Sequence, residues 1–358
     1  MVCIAAFIIL LIIWLFTPLL KLFGKKKLAN DIGKLFKKSI YCFSRRVTFR
    51  ACDSSFKDDI KDSILSRLII RHKKLVKPVS FGIEASALII VLVTVVSALT
   101  VVKSGLALYV YGTCNVKTPA SCALSATQAC SIDNFEKSNP VRDWFSDWGE
   151  IFGAIPSRVK TWTAEDYKPK YGKYINQGLD TKVNPSQTAI DIFDPGCIVC
   201  RKSFTKQLDS GFFNKYKTYV IPYVISGPNG DKFKNSRIVS SYLIASNRIE
   251  QKSNKYTAET AILINLFTKK DENGTNYQDL FNTSYSKDDA IKKVELWLIT
   301  DAGFNESDIS KTRTLVKDNT IKKQIENNKE LVESKIKTKR IPTMIYDGKR
   351  HEGLFSIK

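Results

Sequence analysis

Residues 188–208 read Thr-Ala-Ile-Asp-Ile-Phe-Asp-Pro-Gly-Cys-Ile-Val-Cys-Arg-Lys-Ser-Phe-Thr-Lys-Gln-Leu, and this stretch decides the fold. Its first part, Ala189–Phe193, is short, apolar and rich in β-branched and aromatic side chains, which predicts a buried strand. The Asp-Pro-Gly sequence that follows ends the strand. Apolar residues then recur at every fourth position, which predicts a helix that begins at Cys197. These apolar positions are Cys200, Phe204 and Leu208.

A Cys-x-x-Cys pair at the start of a helix has a chemical consequence. Free N–H groups and the positive end of the helix dipole stabilise an anion, so the pKa of the Cys197 thiol should fall below about 8.5. Lys202 and Arg201 add positive charge nearby, whereas Asp194 opposes them. We therefore expect Cys197 to be an exposed attacking sulfur. Cys200, one turn later on the buried face, should be the resolving sulfur of a mixed disulfide.

A second sequence signal lies far downstream, in residues 340–349, which read Arg-Ile-Pro-Thr-Met-Ile-Tyr-Asp-Gly-Lys. Proline is tolerated at the first residue of a strand, and Asp-Gly is a strong signal for a hairpin turn. The pattern predicts a strand that begins at Pro342 and a hairpin that continues to Gly353. The functional hypothesis for Pro342 is a cis bond to Ile341, although a trans bond is the commoner state.

The combination of a strand, a Cys-x-x-Cys at a helix start, an Ile-Pro-Thr strand and an Asp-Gly hairpin resembles the thioredoxin superfamily. By this resemblance, Cys197 is the nucleophile, Cys200 is the resolving cysteine, and residues 216–225 match the central strand of the sheet. The resemblance also implies a substrate-binding loop beside the redox pair, with a cis-proline at its centre. In this chain that loop consists of Ile341, Pro342 and Thr343.

The resemblance covers roughly residues 185–358 and implies an α/β, thioredoxin-like fold. The segment at about residues 228–337 has helical periodicity and is too long for a thioredoxin without an insertion. A helical insertion at this point resembles the DsbA-like branch, in which it forms a lid over the redox site. Helices are predicted at residues 238–249, 258–267, 287–299 and 320–336.

Two apolar runs near the N-terminus are long enough to cross a membrane. Val2–Leu20 contains no charged residue, and Ala85–Val102 is interrupted only by Ser and Thr. Three lysines, Lys25–Lys27, follow the first run instead of preceding it, which favours an anchor over a cleaved signal peptide. We therefore predict two transmembrane helices, at residues 1–23 and 81–111.

The loop at residues 24–80 determines the predicted orientation, because it holds sixteen Lys and Arg against five Asp. Short loops with such an excess stay in the cytoplasm, so the protein should be a two-span cell-membrane protein whose residues beyond Tyr111 are extracytoplasmic. The loop's charge of +11 is about half of the chain's +21. We expect it to contact anionic lipid, and an unspecific retention signal is an equal alternative.

Nucleic-acid binding and metal binding are not expected. The chain has no zinc-finger spacing, helix-turn-helix or RNA-binding signature despite its basic charge. It has one Cys-x-x-Cys and two His, too few for a site of two close ligand pairs. Tryptophans and tyrosines within residues 144–174 could form a membrane-interface belt or a peptide groove, although packing is their commonest role.

The other cysteines separate by compartment on this topology. Cys42 and Cys52 face the reducing cytoplasm and should be free thiols. The extracytoplasmic linker at residues 112–184 holds three more cysteines at intervals of eight, and an oxidising space would pair two of them. The third is either a bystander or exchanges with the Cys-x-x-Cys pair or a partner. These three are Cys114, Cys122 and Cys130.

The sequence therefore predicts a membrane-anchored thiol–disulfide oxidoreductase that acts on extracytoplasmic proteins with cysteines and needs no cofactor. Oxidase is favoured over reductase because the location is oxidising. By family analogy, a membrane redox partner must recycle the pair. Two alternatives stay open: a thiol reductase of the cytochrome-maturation type, and a non-catalytic scaffold in which the bond between Cys197 and Cys200 is only structural.

Overall fold

The computed structural model describes Lys37, Tyr41 and residues 76–122, 129–134, 139–175, 185–249 and 256–354. The first predicted span and nearly all of the basic loop lie outside these residues. The chain divides into two units, Met1–Val102 and Lys103–Lys358. The second unit contains the Cys-x-x-Cys pair and is called the folded unit below.

Helix α1 (Val76–Tyr111) contains the second predicted span. Its segment Leu88–Tyr111 has a mean hydropathy of 2.2 and is, within the described residues, the one helix long and apolar enough to cross a membrane. Most of that segment is unburied, and Val93 and Val101 are 59% and 71% exposed. By length and composition this helix agrees with the second predicted span, whereas the two-span topology stays a prediction.

The last turn of α1 belongs to the folded unit. Tyr111 Oη donates a hydrogen bond to the carbonyl oxygen of Glu150, in helix α2 (Pro140–Val159), at 3.1 Å. The Arg350 guanidinium donates to the carbonyl oxygen of Val110 at 3.2 Å. A cation at the C-terminal carbonyl groups of a helix is favourable because it satisfies unpaired acceptors at the negative end of the dipole.

The main sheet has four strands. β2 (Gln187–Phe193) runs parallel to β3 (Tyr216–Pro222) and antiparallel to β7 (Thr343–Tyr346). β7 pairs in turn with the antiparallel strand β8 (Lys349–Glu352). From Ala189 onward, no residue of β2 is more than 4% exposed, as expected of a strand covered on both faces.

The expectation that residues 216–225 form the central strand is wrong. β3 is an edge strand and ends at Pro222, which has no N–H to donate to a ladder. Its side chains are buried because helices pack on it, not because strands flank it on both sides. A run of apolar residues indicates that a strand is buried, but it does not indicate the position of the strand within its sheet.

Helices surround the sheet and fill the segment between β3 and β7. Helix α3 (Ile198–Asp209) follows β2, and the short α4 (Phe212–Lys215) leads into β3. The inserted helices are α5 (Ser236–Ser246), α6 (Ala258–Thr268), α7 (Tyr277–Thr283), α8 (Lys287–Thr300), α9 (Glu306–Lys317) and α10 (Asn319–Glu330), and a π-helical turn at Leu331–Ile336 follows them. Apolar periodicity did not predict α7 and α9, which are short or mostly polar.

Two small strand pairs complete the folded unit. β1 (Cys130–Ser131) pairs with β6 (Arg340–Ile341), and β4 (Ser226–Gly227) pairs with β5 (Gly230–Asp231), both antiparallel. The predicted Asp347-Gly348 turn joins β7 to β8. Both of its residues have positive φ angles, 48° and 70°, as a two-residue hairpin turn of this type requires.

Candidate active site

The Cys-x-x-Cys pair lies where β2 turns into α3. Cys197 is the N-cap of α3, the position that the sequence predicts, and Cys200 lies in the first turn. The Cys197 N–H donates to the carbonyl oxygen of Asp194 at 3.0 Å, and the Cys197 carbonyl accepts from the N–H of Arg201 at 3.2 Å. The sulfur of Cys197 is therefore attached at the positive end of the helix dipole.

Asp194 fixes the loop before the pair. Its fully buried carboxylate accepts hydrogen bonds from the N–H of Gly196 at 2.8 Å, the N–H of Ile225 at 2.7 Å and the hydroxyl of Ser236. Burial raises the pKa of Asp194 to about 6, although these hydrogen bonds act in the opposite direction. A Cβ at Gly196 would lie 2.2 Å from the Cβ of Phe233, so the loop has no room for a side chain there.

Helix α7 of the insertion holds the same loop from the other side. The amide of Gln278 donates to the carbonyl oxygens of Pro195 and Cys197, at 2.7 and 2.9 Å. The amide of Asn282 donates to the carbonyl oxygen of Gly196 at 2.8 Å. Sequence reasoning missed both residues, since an isolated Gln or Asn in a short helix carries no local signal that it binds a distant loop.

The predicted substrate loop lies beside the pair. The Ile341–Pro342 peptide bond is cis, and the sulfur of Cys197 lies 3.9 Å from the carbonyl oxygen of Ile341. Thr343 is fully buried, and its hydroxyl donates to the carbonyl oxygen of Arg340 at 2.6 Å. The structure thus brings Ile341 to Cys197, whereas the side chain of Thr343 holds the loop from within.

The expectation of an exposed Cys197 sulfur is wrong for this state of the protein. Cys197 is 0% exposed and forms a disulfide with Cys130, with 6.3 Å between the Cα atoms. Cys200 is a free, buried thiol, so the two cysteines of the Cys-x-x-Cys pair are not bonded to each other. The physical reason is that residues 129–134, which we call the capping segment, bind beside the cis-proline loop.

The capping segment is bound as a strand. Its β1 part pairs antiparallel with β6, and Cys130 lies opposite Ile341 in the register. The pairing extends by a hydrogen bond from the N–H of Ile132 to the carbonyl oxygen of Lys339 at 3.1 Å. The backbone edge next to the cis-proline is therefore occupied by a cysteine-containing segment of the same chain.

Two further elements hold the capping segment. Lys232, just after β5, lies 3.4 Å from the carbonyl oxygen of Ser131 and 3.8 Å from the carboxylate of Asp133. On the other side, the N–H of Asn134 donates to the carbonyl oxygen of Lys117 at 2.8 Å. Lys117 belongs to a loop that is closed by a second disulfide, Cys114–Cys122. This bond is the structural disulfide that the sequence allowed.

Buried charges surround the resolving position. Burial raises the pKa of the Cys200 thiol well above its usual range, and the negative charges of Asp194 and Asp191 act in the same direction. Burial also raises the pKa of Asp191 to about 6, while a hydrogen bond from Gln207 at 2.8 Å lowers it. The second carboxylate oxygen of Asp191 has no hydrogen-bond partner among the described residues. In the described part of the chain, no cluster of three or more His, Cys, Asp or Glu could hold a metal ion.

Comparison with known families and proteins finds similarity to solved structures alone. No family model matches the sequence. No curated protein matches it either.

Several solved structures are similar to part of the chain. ScsC from Proteus mirabilis, in a transitional conformation, is 12% identical with a TM-score of 0.36, covering 60% of this chain and 88% of its own. The thiol-disulfide exchange protein α-DsbA2 from Wolbachia pipientis is 17% identical with a TM-score of 0.35, covering 61% and 94%. MdbA from Corynebacterium diphtheriae, a thiol-disulfide oxidoreductase, is 12% identical with a TM-score of 0.35, covering 52% and 91%.

The fold is defined by the topology of the strands and helices and not by these similarities. A parallel strand pair, a helix that begins at a cysteine, an antiparallel hairpin and a cis-proline before its first strand form a thioredoxin-like arrangement. The inserted helices lie between β3 and β7, where the DsbA-like resemblance placed them. The folded unit is thus a mixed α/β unit with a thioredoxin-like topology.

Proposed function

We propose that this chain is a thiol–disulfide oxidoreductase in which Cys197 exchanges disulfides with cysteine-containing client proteins. One observation carries the proposal: the Cys197 sulfur, at the start of α3, lies 3.9 Å from the carbonyl oxygen of Ile341, next to a backbone edge that binds an extended segment. The helix start favours a thiolate, and the edge holds a partner cysteine at the sulfur. A merely structural cysteine needs neither feature.

The exchange proceeds in two steps. In the oxidising direction, a client thiolate attacks Cys197 in the Cys197–Cys200 disulfide, a mixed disulfide forms, and Cys200 leaves as a thiolate. The second thiolate of the same client then attacks the client sulfur of the mixed disulfide. The client disulfide forms, and Cys197 leaves as the thiolate that the start of α3 stabilises. We infer that the Cys200 proton is exchanged with the carboxyl group of Asp191, whose charge acts on the Cys200 thiol, while the hydrogen bond of that thiol is to the backbone of Asp194.

The direction of exchange is proposed to be oxidation of clients. The support is the proposed extracytoplasmic location of residues beyond α1, where disulfides persist. The runner-up is a reductase of the cytochrome-maturation type. A redox titration of the full chain against glutathione separates the two, because each difference of about 30 mV changes the exchange equilibrium ten-fold.

Membrane anchoring is part of the same proposal. The support is the apolar helix segment Leu88–Tyr111, which is largely unburied, and the uncharged run Val2–Leu20. The basic loop at residues 24–80 would then contact anionic lipid in the cytoplasmic leaflet. A membrane redox partner would recycle the cysteine pair on the outer side. Extraction of membranes with carbonate at high pH tests the anchoring, because a spanning protein stays in the pellet.

The activity is tested with the full chain in detergent and a peptide that holds two cysteines. Cys197→Ser should abolish oxidation of the peptide. Cys200→Ser, first reduced and then mixed with the peptide in its disulfide form, should accumulate a mixed disulfide between the peptide and Cys197. Cys52→Ser serves as the matched control, since it removes one cysteine from the loop expected in the cytoplasm. If Cys197→Ser retains full activity, the scaffold alternative replaces the enzyme.

A further inference from the structure

We propose that the chain uses three redox cysteines, and that the capping segment is a built-in client that closes the client site until Cys200 displaces it. This inference rests on the proposed function and adds a partner for the same site. It makes Cys130 a direct participant in exchange, in addition to the Cys-x-x-Cys pair. The sequence left the role of the third linker cysteine open. In the structure this cysteine, Cys130, forms a disulfide with Cys197.

The first argument is the position of the bond. A disulfide that only staples two elements has no need to use the N-cap cysteine of a Cys-x-x-Cys pair. Here Cys130 is disulfide-bonded to that N-cap cysteine, Cys197. Cys200, one turn further along α3, is therefore a free buried thiol. Residues three apart at a helix start lie on one face, so a small shift of the two side chains brings Cys200 into bonding range of Cys197.

The second argument is the manner of binding. The capping segment pairs antiparallel with β6, on the edge that precedes the cis-proline, so it is bound as an extended client peptide would be. Ala129 and Ser131, on either side of the cysteine, are only 5% and 7% exposed. The site therefore accepts an extended segment with small residues beside the cysteine. Lys232 contacts the backbone of Ser131 and the carboxylate of Asp133. The site therefore favours an acidic residue three positions after the cysteine of the bound segment.

The third argument is that the capping segment is held weakly enough to leave. It contributes only the two-residue strand Cys130–Ser131 to the described fold. A cavity of about 480 Å³ lies beside it, lined among others by Ile132, Glu333 and Lys339. One side of the segment is therefore not packed against the core, and its departure leaves the main sheet intact.

The exchange step balances without any other reactant. The Cys200 thiol loses its proton, and the thiolate attacks the sulfur of Cys197. The Cys197–Cys130 bond breaks, the Cys197–Cys200 bond forms, and Cys130 leaves as a thiolate that takes up one proton. One disulfide and one thiol exist before and after the step. The capped form, with the 130–197 bond, and the open form, with the 197–200 bond, are therefore isomers at the same oxidation level. The open form carries the Cys197–Cys200 disulfide that oxidises clients.

The test uses the full chain in detergent, isolated without reductant, quenched with acid and alkylated before digestion. Mass spectrometry of the linked peptides should find both the 130–197 and the 197–200 bonds in the natural sequence. Cys200→Ser should contain only the first bond, and Cys130→Ser only the second. If the capped form holds nine tenths of the molecules, Cys130→Ser should oxidise the two-cysteine peptide about ten-fold faster than the natural chain. Cys52→Ser should change neither the bonds nor the rate.

The outcomes separate this inference from the proposed function. Cys130→Ser with exchange at the natural rate, and no 130–197 bond in Cys200→Ser, would overturn the inference and keep the enzyme. Absence of exchange in the natural chain and in Cys130→Ser alike would overturn both. A 130–197 bond that stays complete when Cys200 is present would mean a structural staple and also overturn the inference.

A second pair of variants leaves every cysteine in place. Ile132→Pro removes the N–H that bonds to Lys339, whereas Ile132→Ala removes the side chain and keeps the N–H. If strand pairing holds the capping segment, the fraction of molecules with the 130–197 bond should fall several-fold more in Ile132→Pro than in Ile132→Ala. Equal fractions in the two variants would contradict the strand-like binding on which the inference depends.

Discussion

The amide of Gln278 donates one hydrogen bond to the carbonyl oxygen of Cys197 and a second to that of Pro195, at 2.9 and 2.7 Å. Helix α7 of the insertion therefore holds the redox loop in place from a distance of 81 residues in the chain. The insertion is thus part of the site, since it fixes the backbone from which the Cys197 sulfur projects.

Removing this clamp should loosen the redox loop. Gln278→Ala leaves two buried carbonyl groups without their donor, which costs roughly 1–3 kcal/mol. We expect a lower midpoint of thermal unfolding and faster alkylation of the buried Cys200 thiol by a maleimide. Asn282→Ala removes a single hydrogen bond, to Gly196, and should have the smaller effect. An alkylation rate unchanged in Gln278→Ala would show that the clamp does not restrain the loop.

Asp191 should control the step in which Cys200 attacks a mixed disulfide. Its pKa is raised to about 6 by burial, so the carboxylate that accepts the Cys200 proton is lost as the pH falls through that value. In a stopped-flow assay of the mixed disulfide between Cys197 and a peptide, the rate should decline below about pH 6. Asp191→Asn should slow the step at neutral pH by about a hundred-fold or more, the ordinary contribution of a general base.

The sign of the Asp191→Asn effect discriminates between two roles. If Asp191 acted only through its charge, the substitution would lower the pKa of Cys200 and speed the attack, because the charge of Asp191 raises that pKa. A faster step would therefore contradict the proton-acceptor role. Asp209→Asn, at the exposed end of α3, is the matched control and should leave the rate unchanged.

The buried Glu259 should make stability fall as the pH rises. Burial raises its pKa from 4.5 to about 8, although a hydrogen bond from Asn247 and the charge of Lys173 lower it. The folded state thus prefers the neutral acid, so the stabilisation is complete below pH 4.5 and is lost by about pH 8. In thermal unfolding of the full chain at several pH values, Glu259→Gln should remove most of this decline.

The control for Glu259 is Glu306→Gln, an exposed residue in the first turn of α9. It should leave the dependence of the unfolding midpoint on pH as it is in the natural chain. A Glu259→Gln protein that declines as steeply as the natural chain between pH 5 and pH 9 would place the responsible group elsewhere.

Helix α2 presents an aromatic surface that should contact the membrane interface. Phe145 and Phe152 are 66% and 55% exposed, Trp144 and Trp148 lie between them, and Asp147 pairs with Lys103 of α1 at 2.8 Å. Indole rings favour the boundary between apolar and polar regions of a bilayer. The surface therefore matches the membrane-belt interpretation of these tryptophans better than the peptide-groove interpretation.

Brominated lipids in nanodiscs test this contact, since they quench only tryptophans close to the bilayer. The double variant Trp144→Phe/Trp148→Phe should lose much of the lipid-dependent quenching of the full chain. Trp162→Phe should not, because Trp162 is only 3% exposed and lies in the core of the folded unit. Equal quenching in the double variant and the natural chain would remove α2 from the membrane surface.

Local sequence patterns predicted the elements that carry the two cysteines and the proline. β2, the start of α3 and the Asp347-Gly348 turn each follow from residues close together in the chain, because strand, cap and turn preferences are local. The cis bond at Pro342 was a hypothesis that came with the resemblance, and the structure has it. The resemblance, and not these local patterns, predicted that Ile341 lies beside Cys197, as the structure has it.

Long-range relations were not predictable in the same way. The edge position of β3, the clamp from Gln278 and the strand pairing of Cys130 with Ile341 all join residues that are distant in the chain. The spacing of Cys114, Cys122 and Cys130 is even, so it could not show which two form the small loop. The burial of Cys197 depends on that choice, which explains why an exposed sulfur was expected.

The most direct test of the account is to ask which sulfur a client binds. The full chain with Cys130→Ser and Cys200→Ser is mixed with a peptide of residues 129–134, activated at its cysteine as a mixed disulfide, and the adduct is located by mass spectrometry. The account predicts rapid, nearly complete attachment of the peptide to Cys197, and slower attachment when the aspartate of the peptide is replaced by lysine. Attachment at another cysteine, or none at Cys197, would contradict the central claim.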